Sequence, residues 1–209
     1  MYKTVVVLCL IICLLACPVV AQDKPTFASF LKKFSQKNLP YVCVVNPKAN
    51  FRKNTQISKE EAANFLTDFP NTDGRNINIY ESLIEPFPPT KNEAGIIFSA
   101  KTTAQKIALL KRTPTYVLVL IRVAFENQGL DNMAGEQYVL HSFTTDGKPL
   151  TSVPIAQHVQ FDLHSNKVSG RIDAAGNIKT LVEIFTVSNP RQYEEKYKIL
   201  ESGKIVAVK

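Results

Sequence analysis

Past the first 21 residues, the longest apolar pattern in the chain is Tyr116–Phe125, Y-V-L-V-L-I-R-V-A-F, with a single charge. Its β-branched and aromatic content, with Pro114 before it and Asn127-Gln128-Gly129 after it, predicts a strand buried on both faces. It is too short to cross a bilayer as a helix. Downstream, apolar and polar positions alternate and are broken by turn residues, which predicts an antiparallel meander. Glu136–Thr145, Leu150–Ile155, Val159–Leu163, Ile178–Phe185, Tyr193–Leu200 and Ile205–Val208 read as its strands.

Three turns in this half share one pattern: F-T-T-D-G-K-P-L, I-D-A-A-G-N-I-K and I-L-E-S-G-K-I-V. Gly147, Gly176 and Gly203 occupy the position that must lie at positive φ in a type I turn with a bulge. Their spacing fits two strands plus turns, hence repeated hairpins. Lys204 and Lys209 flank the last strand and discourage edge pairing.

Upstream, the period changes. Pro25–Lys37 places Phe27, Phe30, Leu31 and Phe34 at helical spacing, with Lys32, Lys33 and Lys37 opposite. Tyr41–Val45 then reads as a short strand that buries Cys43. Ser58–Phe69 opens with a capping box, Ser58 with Glu61, and buries Ala62, Phe65, Leu66 and Phe69. Ile77, Ile79 and Leu83 alternate as a strand, and Gly95–Ser99 as another. Lys101–Arg112 suits either a helix or a strand; the reversal at Thr113-Pro114-Thr115 tips it towards strand. Together these elements predict an α+β fold: two short N-terminal helices packed on an antiparallel β-rich meander, as an open sheet, sandwich or partial barrel.

The first residues carry targeting information. Lys3 precedes the apolar run Val5–Ala16, and Val19-Val20-Ala21 fits cleavage before Gln22, so residues 1–21 read as a secretory signal. Leu14-Leu15-Ala16-Cys17 offers a second reading, a lipobox with Cys17 lipidated, although Leu15 is not the usual small residue. Both readings export the chain, to periplasm, exterior or outer membrane. Residues 22–209 then form one domain, with a soft boundary at 86–92 around Pro86-Phe87-Pro88-Pro89. After cleavage at Ala21 only Cys43 remains, so no internal disulfide can form, and no Asn-x-Ser/Thr sequon occurs in the mature chain. The pattern fits a bacterial exported protein.

Charge is unevenly placed. Gln22–Thr113 holds 14 Lys/Arg against 8 Asp/Glu, whereas Pro114–Lys209 holds 10 of each. The cations of the first half, Lys32, Lys33, Lys37, Lys48, Arg52 and Lys53, form a candidate surface for an anionic glycan, a lipid surface or an envelope protein. Export, and basic residues that do not interleave with aromatics, argue against nucleic acid.

Candidate chemistry is sparse. A strand from His158 to His164 would place His158, Asp162 and His164 on one polar face, but its ends lie about 20 Å apart, beyond one metal ion. Cys43, set among Tyr41, Val42, Val44 and Val45, reads as a buried inert thiol. No nucleophile elbow, zinc helix or phosphate loop is present, and no cofactor is implied.

The signal, the F-L-K-K-F…L-P-Y opening, the D-G-K hairpins and the closing Y-K-I-L-E-S-G-K-I-V resemble small exported or lipoprotein-like bacterial proteins of unknown function. The resemblance implies fold and compartment, and carries over no catalytic residue. The sequence therefore points to a non-catalytic binding or cell-envelope accessory protein. The alternatives are a small hydrolase-like enzyme with a loop-built site, and a membrane-surface or lipid-anchored module.

Overall fold

The strand at the centre of the chain runs Tyr116–Gln128 and is buried from both sides, as its composition predicts. Val117, Leu118, Val119, Leu120, Ile121 and Val123 are all fully buried. Successive side chains alternate between two separate cores, because strand residues point to opposite faces in turn. Val117, Val119, Ile121 and Val123 enter one; Tyr116, Leu118 and Leu120 enter the other.

A computed structural model of the chain describes residues 24–46, 52–67, 69, 80–84, 90–91, 97–128, 134–161, 164–186 and 189–208. Among them the strands are β1 (Ser35–Gln36), β2 (Tyr41–Cys43), β3 (Thr90–Lys91), β4 (Ile97–Arg112), β5 (Tyr116–Gln128), β6 (Ala134–Thr144), β7 (Pro149–Phe161), β8 (His164–Ile172), β9 (Asn177–Phe185), β10 (Arg191–Ile199) and β11 (Ile205–Ala207). The helices are α1 (Phe27–Leu31), α2 (Lys59–Phe65) and α3 (Glu81–Ile84), with a 3-10 turn at Lys53–Thr55. Strands β4 to β11 pair in chain order as an antiparallel meander; β1 adds to β4 in parallel, and β2 pairs with β8.

The expected α+β arrangement of two helices on a meander does not form. The protein is dominated by one long sheet, and a single described helix, α2, reaches seven residues. Phe27, Phe30, Leu31 and Phe34 are buried as the helical spacing requires, yet α1 supplies only the first three. After Lys32 the chain turns, Phe34 N–H bonding Leu31 O, and Ser35–Gln36 joins the edge of β4 at Ala108–Leu109. Sheet hydrogen bonds replace the turns that a longer helix would have supplied.

Other expectations change in smaller ways. Lys101–Arg112 is strand, as the reversal at Thr113-Pro114-Thr115 favoured, within β4. Leu150–Ile155 and Val159–Leu163 are not two strands: β7 runs unbroken past Pro154, with a register shift opposite Tyr138/Val139. Proline lacks an N–H, and a bulge is where a ladder tolerates it. Leu83 lies in helix α3 instead of a strand; Ile77 and Ile79 fall outside the described residues, as do residues 1–21, Cys17 and residues 86–89 and 92 of the soft boundary.

The three glycine turns form as predicted, with φ of 93°, 83° and 85° at Gly147, Gly176 and Gly203. Each closes with the same bonds: Gly147 N–H to Thr144 O, Gly176 N–H to Asp173 O, and Gly203 N–H to Leu200 O. The last turn folds back onto the sheet. A Cβ at Gly203 would lie 2.5 Å from Tyr116 Cβ, Thr115 Oγ1 donates to Glu201 O at 3.1 Å, and Ile205 N donates to Thr151 Oγ1 at 2.8 Å. Strand β8 changes partner part-way. Its first half pairs with β7, and from Gly170 it pairs with β2, crossing so close to β7 that a Cβ there would meet Ile155 O at 2.2 Å.

The helices cover the other side of β4–β6. Phe27, Phe30, Phe65 and Phe143 pack with ring centroids 4.9–6.2 Å apart. The capping box at the start of α2 forms: Ser58 Oγ accepts from Glu61 N, and Glu61 Oε2 accepts from Ser58 N. The other oxygen of Glu61 accepts from Lys106 Nζ at 2.5 Å. Lys106 is buried, its ammonium 4.7 Å from the centre of the Phe30 ring. Burial lowers the Lys106 pKa, Glu61 acts against that, and Lys33 adds to it.

Glu61 thus caps α2 and neutralises a buried cation. Glu61→Gln leaves that cation without its counterion and is expected to destabilise the fold by about 3 kcal/mol. Adding Lys106→Met removes the stranded charge and should recover most of the loss. Denaturant unfolding of the two single variants and the double variant gives the coupling; additive losses would refute the pairing.

Candidate functional site

Strands β8, β9 and β10 bury one side and expose the other. Ile172, Ile178, Val182, Tyr197 and Ile199 point inward, while Arg171, Lys179, Glu194, Lys196 and Lys198 point out. The turn Asp173–Asn177 fixes the register between β8 and β9, placing Arg171 opposite Lys179. The pairing of β9 with β10 places Lys179 opposite Lys196. On the far side of β8, Val42 of β2 stands opposite Arg171. One row across four strands therefore reads Val42, Arg171, Lys179, Lys196.

Directly opposed residues have Cβ atoms about 5 Å apart, and like charges so placed destabilise a sheet. Among the described residues none of the three cations has a carboxylate within ion-pair distance. Several carboxylates of this half are engaged elsewhere, while Glu183 and Glu194 lie on the same outer face in the neighbouring rows. Glu136 holds the buried Arg122 through both its oxygens, Asp173 accepts from Asn177 N and Nδ2, and Glu195 accepts from the Tyr197 hydroxyl.

The neighbouring row is different. Leu181 stands opposite Ser169 on one side and Glu194 on the other. With Val42, Val44, Arg171 and Lys179 they line an open groove of about 240 Å³. Val42 is 71% exposed and Val44 61%, more than any other large hydrophobic residue described. Two of the three cations, apolar contacts, a hydroxyl and one carboxylate thus line the groove, and Lys196 stands beside it, opposite Lys179.

The residues singled out from sequence fall on several separate elements. His158 lies on β7 and His164 on β8, so they do not share a strand face; His158 opposes Lys167, and His164 opposes Phe161. The chain reverses between them, which the continuous alternation of polar and apolar residues concealed. Asp162 lies outside the described residues, as does Lys48. Lys32, Lys33 and Lys37 are exposed around α1 and β1, and Arg52 and Lys53 at the 3-10 turn. They belong to the helical side of the molecule, separated from the cationic row by both cores. Cys43 is a free thiol buried in the sheet core, and burial pushes its pKa up to about 12. Among the described residues no group of three or more His, Cys, Asp or Glu could hold a metal ion.

Sequence reading passed over His141. It is buried beneath the helices, its Nε2 2.7 Å from the Tyr80 hydroxyl and its ring 4.5 Å from that of Phe69. Among the described residues Nδ1 has no hydrogen-bond partner. Fully buried, the ring packs beneath the helical elements.

No known family, characterised protein or solved structure matches this chain.

Two measurements test these placements. Burial lowers the His141 pKa to about 3, from 6.5 for the free group. The folded chain then stays unprotonated there while the unfolded chain takes up a proton below 6.5, so stability falls as pH drops from 6.5 towards 3. The expected loss is about 2 kcal/mol at pH 5 relative to pH 8. His141→Gln should flatten that limb in urea unfolding at stepped pH; an unchanged slope would contradict the placement. Lys179→Glu replaces two repulsions with two attractions and should raise stability on the order of 0.5 kcal/mol, less at high salt. A loss of stability in low salt would count against the row.

Proposed function

We propose that the protein is exported and acts as a non-catalytic binding module, with the outer face of β2, β8, β9 and β10 as its binding surface. The observation that carries this reading is the row Arg171, Lys179, Lys196. Three directly opposed cations with no ion pair among the described residues weaken the fold, which favours a partner outside the chain. The groove and the exposed Val42 and Val44 at the same place supply contact area beyond charge.

Export is supported by the apolar run behind Lys3 and by the small residues ending at Ala21. Lipidation at Cys17 is the competing maturation and would hold the protein at the envelope. Among the described residues no helix is long and apolar enough to cross a membrane.

Expressing the full chain in a bacterial host and taking the intact mass of the product tests export. A product starting at Gln22, or at a diacylated Cys17, supports it; an intact cytoplasmic chain starting at Met1 refutes it. The purified mature protein should bind isolated envelopes at low salt and be released at high salt. Arg171→Glu/Lys179→Glu/Lys196→Glu should lose that retention, whereas Lys32→Glu/Lys33→Glu/Lys37→Glu should keep it. The reverse ranking would move the binding surface to the helical side.

A further inference from the structure

If the outer face of β2, β8, β9 and β10 binds, as proposed for its function, its chemistry selects among ligands. We propose that the face takes a linear anionic polysaccharide, a polymer of uronic-acid type, laid across those four strands.

Direction comes first. The cations recur at the interstrand spacing of roughly 4.8 Å, so from Arg171 to Lys196 the row covers roughly 10 Å at right angles to the strands. A ligand that satisfies all three must run along that line and carry charge at a similar interval, comparable to the length of one pyranose unit. An extended peptide added to the free edge of β2 would run parallel to the strands. It would meet Val42 and Val44 but not Lys179 or Lys196, which lie two and three strands in. Val42, Val44, Ser169, Arg171, Lys179 and Leu181 line a shallow, open groove that a single ligand chain can follow.

The second row fixes the class. Beside the cations lie Ser169, Leu181 and Glu194. A carboxylate repels a ligand that is charged along both edges, as a polyphosphate is. It accepts hydrogen bonds from a ligand whose second edge bears hydroxyl groups. Val42, Val44 and Leu181 suit the C–H faces of sugar rings. No aromatic side chain lines the groove, and single-stranded nucleic acid needs such rings to stack its bases. An anionic edge, a hydroxylated edge and apolar ring faces together describe an acidic polysaccharide.

The test is calorimetric titration of the mature protein with oligogalacturonates of increasing length, with their methyl esters as neutral controls. Inorganic polyphosphate, an acidic peptide and anionic phospholipid vesicles run in parallel. Affinity should rise with length until the row is spanned, fall with salt, and vanish for the esters. Lys179→Ala should weaken binding about tenfold, the loss of one charge-assisted contact, with Lys179→Arg restoring most of it. Glu194→Ala should weaken oligogalacturonate and tighten polyphosphate. Thermal unfolding of each variant checks folding, and all the substituted side chains are exposed.

Oligogalacturonate binding no tighter than its ester, or tightened by Glu194→Ala, overturns the polysaccharide assignment. If polyphosphate, peptide or vesicles bind instead and Lys179→Ala weakens them, the face remains a binding surface for another ligand. If no anion binds and charge reversal of the row changes nothing, both readings fall.

Discussion

Burial of β5 from both sides is the constraint on which this architecture depends. A strand apolar at nine of its first ten positions, Tyr116 to Phe125, cannot present a face to water there, so each side must be covered by something else. One side is covered by α1, α2, α3 and their phenylalanines. The other is covered by the same sheet, which continues through β8–β11 and returns until its last turn rests against Tyr116 and Leu150. The two covers differ in kind. The returning sheet is tied by successive ladders of main-chain bonds, whereas the helices are short and depend on side chains.

That dependence explains where the polar chemistry of the interior is found. Helices of four to seven residues are marginal by themselves and need tertiary contacts to persist. Lys106 reaches from the sheet to Glu61, which caps α2, while its ammonium lies against Phe30 of α1. His141 reaches from β6 to Tyr80, at the start of α3. Both of these buried polar contacts join the sheet to helical elements. The cost of desolvating these groups is offset by the order they impose on segments without a ladder of their own.

The sequence was most legible where local chemistry decides structure. Gly147, Gly176 and Gly203 disclosed three turns because positive φ excludes most other residues, and Ser58 with Glu61 disclosed a helix start because the cap is reciprocal. The length of α1 was not legible, since Phe27, Phe30, Leu31 and Phe34 satisfy both a continuous helix and a helix that turns into an edge strand. Deciding between them requires knowing that β4 has a free edge. The histidine face failed for a related reason. Alternation continues unchanged from β7 into β8, so His158 and His164 look collinear when the chain in fact reverses between them. The cationic row was half legible: the Asp173–Asn177 turn sets Arg171 against Lys179, but Lys196 joins only through the pairing of β9 with β10.

Charge counts along the chain concealed that row. The second half, from Pro114, has equal numbers of cations and anions, and a balance of zero suggests a solvated surface without preference. The fold draws part of the negative charge away from the row. Glu136 goes inward to Arg122, Asp173 goes to a turn, and Glu195 to a tyrosine, while Arg171, Lys179 and Lys196 are left side by side on one exposed face. Any one of these cations could be replaced by a neutral residue without disturbing the core, because none contributes to it. A strand arrangement that sets three like charges together gains nothing for folding and loses stability at each pair. Such a local conflict between charge and fold, at solvent-exposed positions, is what supports the proposed binding surface.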